Sequence, residues 1–176
     1  IPNLHEILKK AIDYGIFGTK MRSVIGEDNV VGIEKIVDQQ FEIGKITLDA
    51  GLTPIIEPEV TINISQKLKA EKNLKQSLIK NLNKLAPKQK ILLKLTLPEK
   101  ENFYQDLVKH PNVLRVVALS GGYSLEEANK RLRENYGVVA SFSRALTQSL
   151  FVHQNIDEFN SALEQTISAI ADASKT

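Results

Sequence analysis

Short apolar runs alternate with longer amphipathic stretches along the chain, the pattern of strand, crossover and strand that builds a parallel sheet. The runs fall at 16–24, 53–60, 90–98, 114–120 and 138–143. Between them, apolar residues recur at helical spacing. An opening helix is expected with Asn3 as N-cap, Ile7, Leu8, Ala11 and Ile12 on one face, and Gly15 as its stop. A second should run from about Asp28 through Ile33, Val37, Phe41, Gly44 and Leu48 to Gly51. A third, opened by Ser65, carries Leu74, Leu78, Leu82 and Leu85 on one side. Its other side holds Lys67, Lys69, Lys72, Lys75, Lys80 and Lys84, which reads as a solvated face rather than an anion-binding surface. A short helix uses Phe103 and Leu107, and the next is opened by Ser124 with Glu127 three residues on, a capping box. The last, from Asp157, should bury Phe159, Leu163, Ile167 and Ile170. The pattern predicts five strands and about six helices in a single domain, 1–176.

Consecutive parallel strands suit either a doubly wound sheet or an arc of a barrel. The one Gly pair, Gly121-Gly122, lacks the third glycine and the later acidic partner of a dinucleotide-binding turn. Ionisable residues instead recur near strand C-terminal ends, where barrel enzymes place catalytic groups. The expected class is therefore α/β, a TIM (β/α)8 barrel of which this chain supplies about five βα units. Composition agrees with a packed globular chain: 176 residues, 42% hydrophobic and 25% charged. A net charge of +2 lacks the basic excess that phosphate-backbone binding needs, so nucleic acid is not an expected partner. No apolar run approaches the roughly 18 residues of a membrane span, and no signal-sequence pattern opens the chain. No membrane partner is expected. With no cysteine, the cytoplasm is the expected compartment.

Side chains alternate across a strand, so parity sorts the candidate chemistry. Lys20 and Arg22 share a face, Glu57 and Glu59 share another, and Lys94 stands with Leu92 and Thr96. If these faces meet inside one barrel, an ammonium at Lys94, flanked by Leu92, Leu93, Leu95 and Leu97 and near Lys20, is poorly solvated, which favours the neutral amine that attacks a ketone. Glu57 then suits proton transfer and Lys20 suits polarising an anionic oxygen. The other reading is a buried ion-pair network of Lys20, Arg22, Glu57, Glu59 and Lys94 that fixes packing; parity alone leaves both open.

Two further segments bear on the choice. Ser120, Gly121 and Gly122 end one strand ahead of a capped helix, leaving backbone N–H groups beside a hydroxyl, which suits a phosphate. Ser143 and Arg144, with Ser141, end the next strand and suit fork-like recognition of the same anion. His5, His110 and His153 lack ligand spacing, so no metal site is expected.

The runs "GTKMRSVI", "PIIEPEV", "ILLKLTLP", "ALSGGYS" and "ASFSRAL", in that order, resemble the class I fructose-bisphosphate aldolases, most of all their bacterial branch, over essentially the whole chain. The resemblance implies a lyase of glycolysis that cleaves fructose 1,6-bisphosphate into dihydroxyacetone phosphate and glyceraldehyde 3-phosphate through a lysine Schiff base, without metal or other cofactor. It implies Lys94 as the Schiff-base lysine, Glu57 as the acid/base carboxylate with Glu59 beside it, and Lys20 assisting carbinolamine chemistry with Arg22 as neighbour. Ser120, Gly121, Gly122, Ser143 and Arg144 would hold the ketose phosphate.

The chain departs from the family's pattern in three places. "ASFSRAL" lacks the Tyr-Gly insertion of the animal enzymes, and no terminal tyrosine follows Lys175-Thr176. The motifs match strands four to eight of the family's barrel, and the first three, with an aspartate and another lysine of the catalytic set, have no counterpart. Five strands cannot close an eight-stranded barrel. The expectation is a C-terminal portion of an aldolase barrel, completed by missing N-terminal strands or by a homo-oligomer, whose isolated turnover is poor or nil. The alternatives are another Schiff-base sugar-phosphate aldolase and a non-catalytic phosphate-binding fragment.

Overall fold

A computed structural model describes residues 1–176. Its strands are β1 (Gly18–Ile25), β2 (Thr53–Val60), β3 (Ile91–Thr96), β4 (Val113–Leu119) and β5 (Val138–Ala140). Its helices are α1 (Leu4–Asp13), α2 (Val30–Asp49), α3 (Lys67–Leu82), α4 (Gln105–Val108), α5 (Leu125–Arg133), α6 (Arg144–Thr147) and α7 (Ile156–Ala173).

The strands form one parallel sheet in sequence order, β1-β2-β3-β4-β5. Right-handed crossovers that always step in the same direction leave their helices on one face. The order never reverses, so there is no doubly wound switch point, and the sheet is an arc of a barrel. One contiguous cluster of 24 buried residues joins the sheet to the helices: Ile56, Val60, Leu93, Leu95, Val116 and Val138 meet Val37, Phe41, Leu74, Leu78 and Leu132. By alternation the opposite face carries Ile55, Leu92 and Val117, with the ionisable side chains nearer the C-terminal ends. Gly18 permits the first pairing, because a Cβ there would lie 2.1 Å from the Thr53 carbonyl oxygen. No helix is long and apolar enough to cross a membrane.

Several local expectations change. Asn3 adopts a left-handed conformation (φ 55) and makes no side-chain cap bond. Of the expected apolar face of α1 only Leu8 is buried; Ile7 and Ile12 are exposed, because α1 contributes nothing to the main cluster. Helix α2 is capped by Asn29, which accepts from Gly32 N–H at 2.9 Å, while Asp28 binds Lys69 and Asn73 from α3. Helix α3 begins at Lys67, two residues after Ser65, with Gln66 rather than Ser65 at its N-cap position and no side-chain cap bond. On α7 the Asn155–Glu158 capping box is complete, but Thr166 and Ala173 take the buried positions and Ile167 is exposed. The sequence pattern passes over α6, a single turn that starts at Arg144.

The largest departure is Lys67, which is not on a solvated face. Its ammonium, 4% exposed, lies 2.5 Å from Glu71 Oε1, 3.1 Å from Glu99 Oε1, and donates to the Leu97 carbonyl at 2.9 Å. Glu71 in turn accepts from Glu99 N–H at 3.1 Å, and Arg131 donates to the Pro98 carbonyl at 3.1 Å. Three charged side chains thus hold the loop that follows β3. Burial, partly offset by the Lys67 charge, pushes the Glu71 carboxyl above its ordinary pKa. Burial also acts to raise Glu99, but the Lys67 hydrogen bond and charge outweigh it and hold Glu99 below the ordinary value.

Candidate active site

Strands β1, β2 and β3 deliver Lys20, Arg22, Glu57, Glu59 and Lys94 to the same face. Glu57 stands between two ammoniums, one on each oxygen: Lys20 bonds Oε2, and Lys94 Nζ lies 3.3 Å from Oε1. Glu59 binds Arg22 Nε at 2.7 Å through Oε2 and faces Arg144 Nη2 at 3.9 Å through Oε1. Both carboxylates are buried. The Glu59 hydrogen bond and charge hold the Arg22 guanidinium above its ordinary pKa.

The surroundings of Lys94 differ from the leucine wall expected of it. Leu93, Leu95 and Leu97 belong to the helix-side cluster, so only Leu92 of the four leucines shares its face. The side chain is 14% exposed, and its nearest charged neighbour is a carboxylate rather than the second lysine. Lys20 reaches the same carboxylate from the other side.

The phosphate candidates gather at the ends of β4 and β5. Ser120 is buried directly after β4, and Gly121 and Gly122 follow with φ of 64° and 114°, a left-handed pair that L side chains resist. Ser143 precedes α6 without bonding its backbone through its side chain, and Arg144 opens α6 with 68% of its side chain exposed. A Cβ on Gly122 would lie 3.9 Å from Arg144 Nη1, which puts the guanidinium beside the glycine turn.

A cleft of about 500 Å³ takes in Arg22, Glu57, Glu59 and Lys94 from the strands and Ser120, Gly121, Ser143 and Arg144 from the loops. Lys20 and Gly122 border it through Glu57 and Arg144. Every candidate named from the sequence therefore meets in one place. Thr61 and Ser141 line the cleft as well. Parity with Glu57 and Glu59 carries a signal for Thr61, since it continues the β2 alternation by one step. Tyr123 does not cover this cleft; its hydroxyl donates to Glu99 Oε1 at 3.2 Å and its ring lies 4.5 Å from the Arg131 guanidinium. No cluster of three or more His, Cys, Asp or Glu is arranged to hold a metal ion.

No protein-family model matches the chain. Full-length relatives do. The chain is 57% identical, over all of its 176 residues, to a class 1 fructose-bisphosphate aldolase of Synechocystis sp. and 53% identical to one of Clostridium acetobutylicum. A third, from Porphyromonas gingivalis, is 50% identical over 98% of the chain. The chain is homologous to the class 1 fructose-bisphosphate aldolases. It spans 58% to 60% of the length of these relatives. Among solved structures, the fructose-bisphosphate aldolase of Plasmodium falciparum, in complex with TRAP and a small-molecule inhibitor, superposes with a TM-score of 0.68. That match covers 97% of this chain and 61% of the other at 20% identity, and it establishes the aldolase barrel fold for the arc seen here. The five motifs that carry the aldolase resemblance lie on β1 to β5 and the loops that follow them, in order.

Proposed function

We propose that this chain carries the Schiff-base and ketose-phosphate part of a class 1 fructose-bisphosphate aldolase site, acting in cytoplasmic glycolysis. The observation that supports the reading is the position of Lys94: a shielded amine, 3.3 Å from a buried carboxylate, in the same cleft as the Ser120-Gly121 turn and Arg144. An ion-pair network that served packing alone would share the Lys20–Glu57–Lys94 contacts, yet it gives no reason for an open cleft lined by hydroxyls and a guanidinium. Lys94 passes its ammonium proton to Glu57, and the neutral Nζ attacks the C2 carbonyl of the open-chain sugar, forming a C–N bond and a carbinolamine. Glu57 delivers a proton to the C2 hydroxyl, which leaves as water, and the iminium results. That cation draws in the C3–C4 electron pair as the bond breaks and the C4 hydroxyl proton passes to the Glu57 carboxylate left by dehydration, leaving an enamine on Lys94 and glyceraldehyde 3-phosphate. Protonation at C3 and hydrolysis then free dihydroxyacetone phosphate. Lys20 balances the Glu57 charge as protons move, and the Gly121 and Gly122 amides, the Ser120 and Ser143 hydroxyls and Arg144 hold the phosphate next to C1.

The test is intact-mass analysis after sodium borohydride reduction in the presence of a chelator. Fructose 1,6-bisphosphate or dihydroxyacetone phosphate should leave one covalent adduct per chain. An adduct formed only by deoxyribose 5-phosphate or fructose 6-phosphate would assign the site to another Schiff-base aldolase. No adduct with any of these sugars would leave the packing reading.

A further inference from the structure

Strand β2 is central in the sheet, yet it holds two prolines, Pro54 and Pro58. Its amide directions can be assigned. Thr53 N–H and Thr61 N–H both donate toward β1, at 3.1 Å and 3.0 Å, to Phe17 and Ile25. Alternation then points the backbone groups of residues 54, 56, 58 and 60 toward β3. Two of those four positions are prolines, which have no N–H to give. The consequence appears in the register. Strands β1 and β2 pair over eight residues, from Gly18↔Thr53 to Ile25↔Val60, while β2 and β3 pair only at Ile55↔Leu92 and Ile56↔Leu93. Pairing between β2 and β3 therefore lapses just where Glu57 and Lys94 have to face each other.

One side chain bridges the gap. Thr96, 1% exposed and two residues beyond Lys94 on the same face, donates its hydroxyl to the Val60 carbonyl at 2.8 Å. Its methyl borders the glycine turn, since a Cβ on Gly121 would lie 3.3 Å from Thr96 Cγ2. We infer that Thr96 is the positioning residue of the site, tying β3 to the Val60 carbonyl of β2 across the stretch where Pro58 interrupts the ladder, so that the Lys94 amine, the Glu57 carboxylate and the Gly121 turn stay in reacting register. Val would keep the shape of Thr96 and lose the bond; Ser would keep the bond.

The inference rests on Lys94 being the imine-forming lysine, and its test separates the two claims. The rate of borohydride-trapped imine formation is measured with hydroxyacetone, which has no phosphate, across a pH series in the wild-type chain, Thr96→Val and Thr96→Ser. Thermal unfolding is recorded for each. Thr96→Val is expected to trap imine about 10- to 100-fold more slowly under conditions where it is fully folded, with an altered pH profile. Thr96→Ser is expected to restore the wild-type rate and profile. Equal rates and profiles in folded Thr96→Val and wild type would overturn the positioning role while leaving the Schiff-base reading intact. Failure of the wild type to trap hydroxyacetone or dihydroxyacetone phosphate would overturn both. Should Thr96→Val fail to fold, Thr96→Ser and Thr96→Ala decide between the outcomes: slow trapping in folded Ala but not in Ser supports the role, and equal trapping refutes it.

Discussion

Replacing Lys67 by Met should destabilise the fold strongly, and more so as pH rises. Lys67 and Glu71 are 4% and 0% exposed, so the substitution leaves a carboxylate in the interior with a single protein donor, Glu99 N–H at 3.1 Å. It also removes the ammonium bonded to the Leu97 carbonyl at 2.9 Å. Breaking one partner of a buried pair costs about 3–5 kcal/mol, since the remaining charge is neither solvated nor compensated. Protonation relieves the carboxylate, and the direction of the pH effect follows. Glu71 already titrates above its ordinary value because of burial, and loss of the lowering Lys67 contact raises it further. An acid with a raised folded-state pKa binds its proton more tightly folded than unfolded. Its stability contribution is complete below the unfolded pKa and is lost as pH climbs through the folded pKa. The variant should therefore approach wild type near about pH 5 and lose up to about 1.4 kcal/mol per pH unit above that, until Glu71 ionises. Urea denaturation followed by circular dichroism at about pH 5 and about pH 8 measures this. Lys67→Met/Glu71→Leu, which removes both charges, should recover most of the loss. A Lys67→Met penalty below about 1 kcal/mol at both pH values would refute the reasoning.

Other outcomes can be checked alongside it. Glu57→Gln removes the proton donor between the two lysines and should slow imine formation by about 10²- to 10⁴-fold, read as borohydride-trapped adduct against time. Gly121→Ala puts a Cβ 2.9 Å from Ile62 Cγ2 at a φ of 64°. It should cost about 1–2 kcal/mol by thermal unfolding and weaken inorganic phosphate binding by calorimetry. Arg144→Ala, at a site 68% exposed, should leave stability within about 0.5 kcal/mol of wild type. The same variant should raise the Kd for dihydroxyacetone phosphate by roughly tenfold, as loss of a charge-assisted bond implies.

The strands, the helix order and the candidate site were largely legible because each rests on a short-range rule. Parity alone put Lys20, Arg22, Glu57, Glu59 and Lys94 on shared faces, and the Ser124 cap and the Leu74 to Leu82 stripe were local patterns that packing left in place. What the sequence did not disclose depends on partners distant in the chain. Lys67 looks like its lysine neighbours until Leu97 and Glu99, about thirty residues later, fold over it. The leucines around Lys94 suggest an apolar pocket in one dimension, yet pleating sends three of them to the other side of the sheet. Thr96 was visible only as a face-mate of Lys94. Its bond to the Val60 carbonyl matters because Pro58 leaves the ladder open, and that requires knowing which strand lies next to which.

Peptide mapping of the borohydride-reduced adduct with dihydroxyacetone phosphate tests the central claim most directly. The account predicts that the added mass lies on Lys94 alone and is absent from Lys94→Met. An adduct on Lys20, or an undiminished adduct in Lys94→Met, would contradict it.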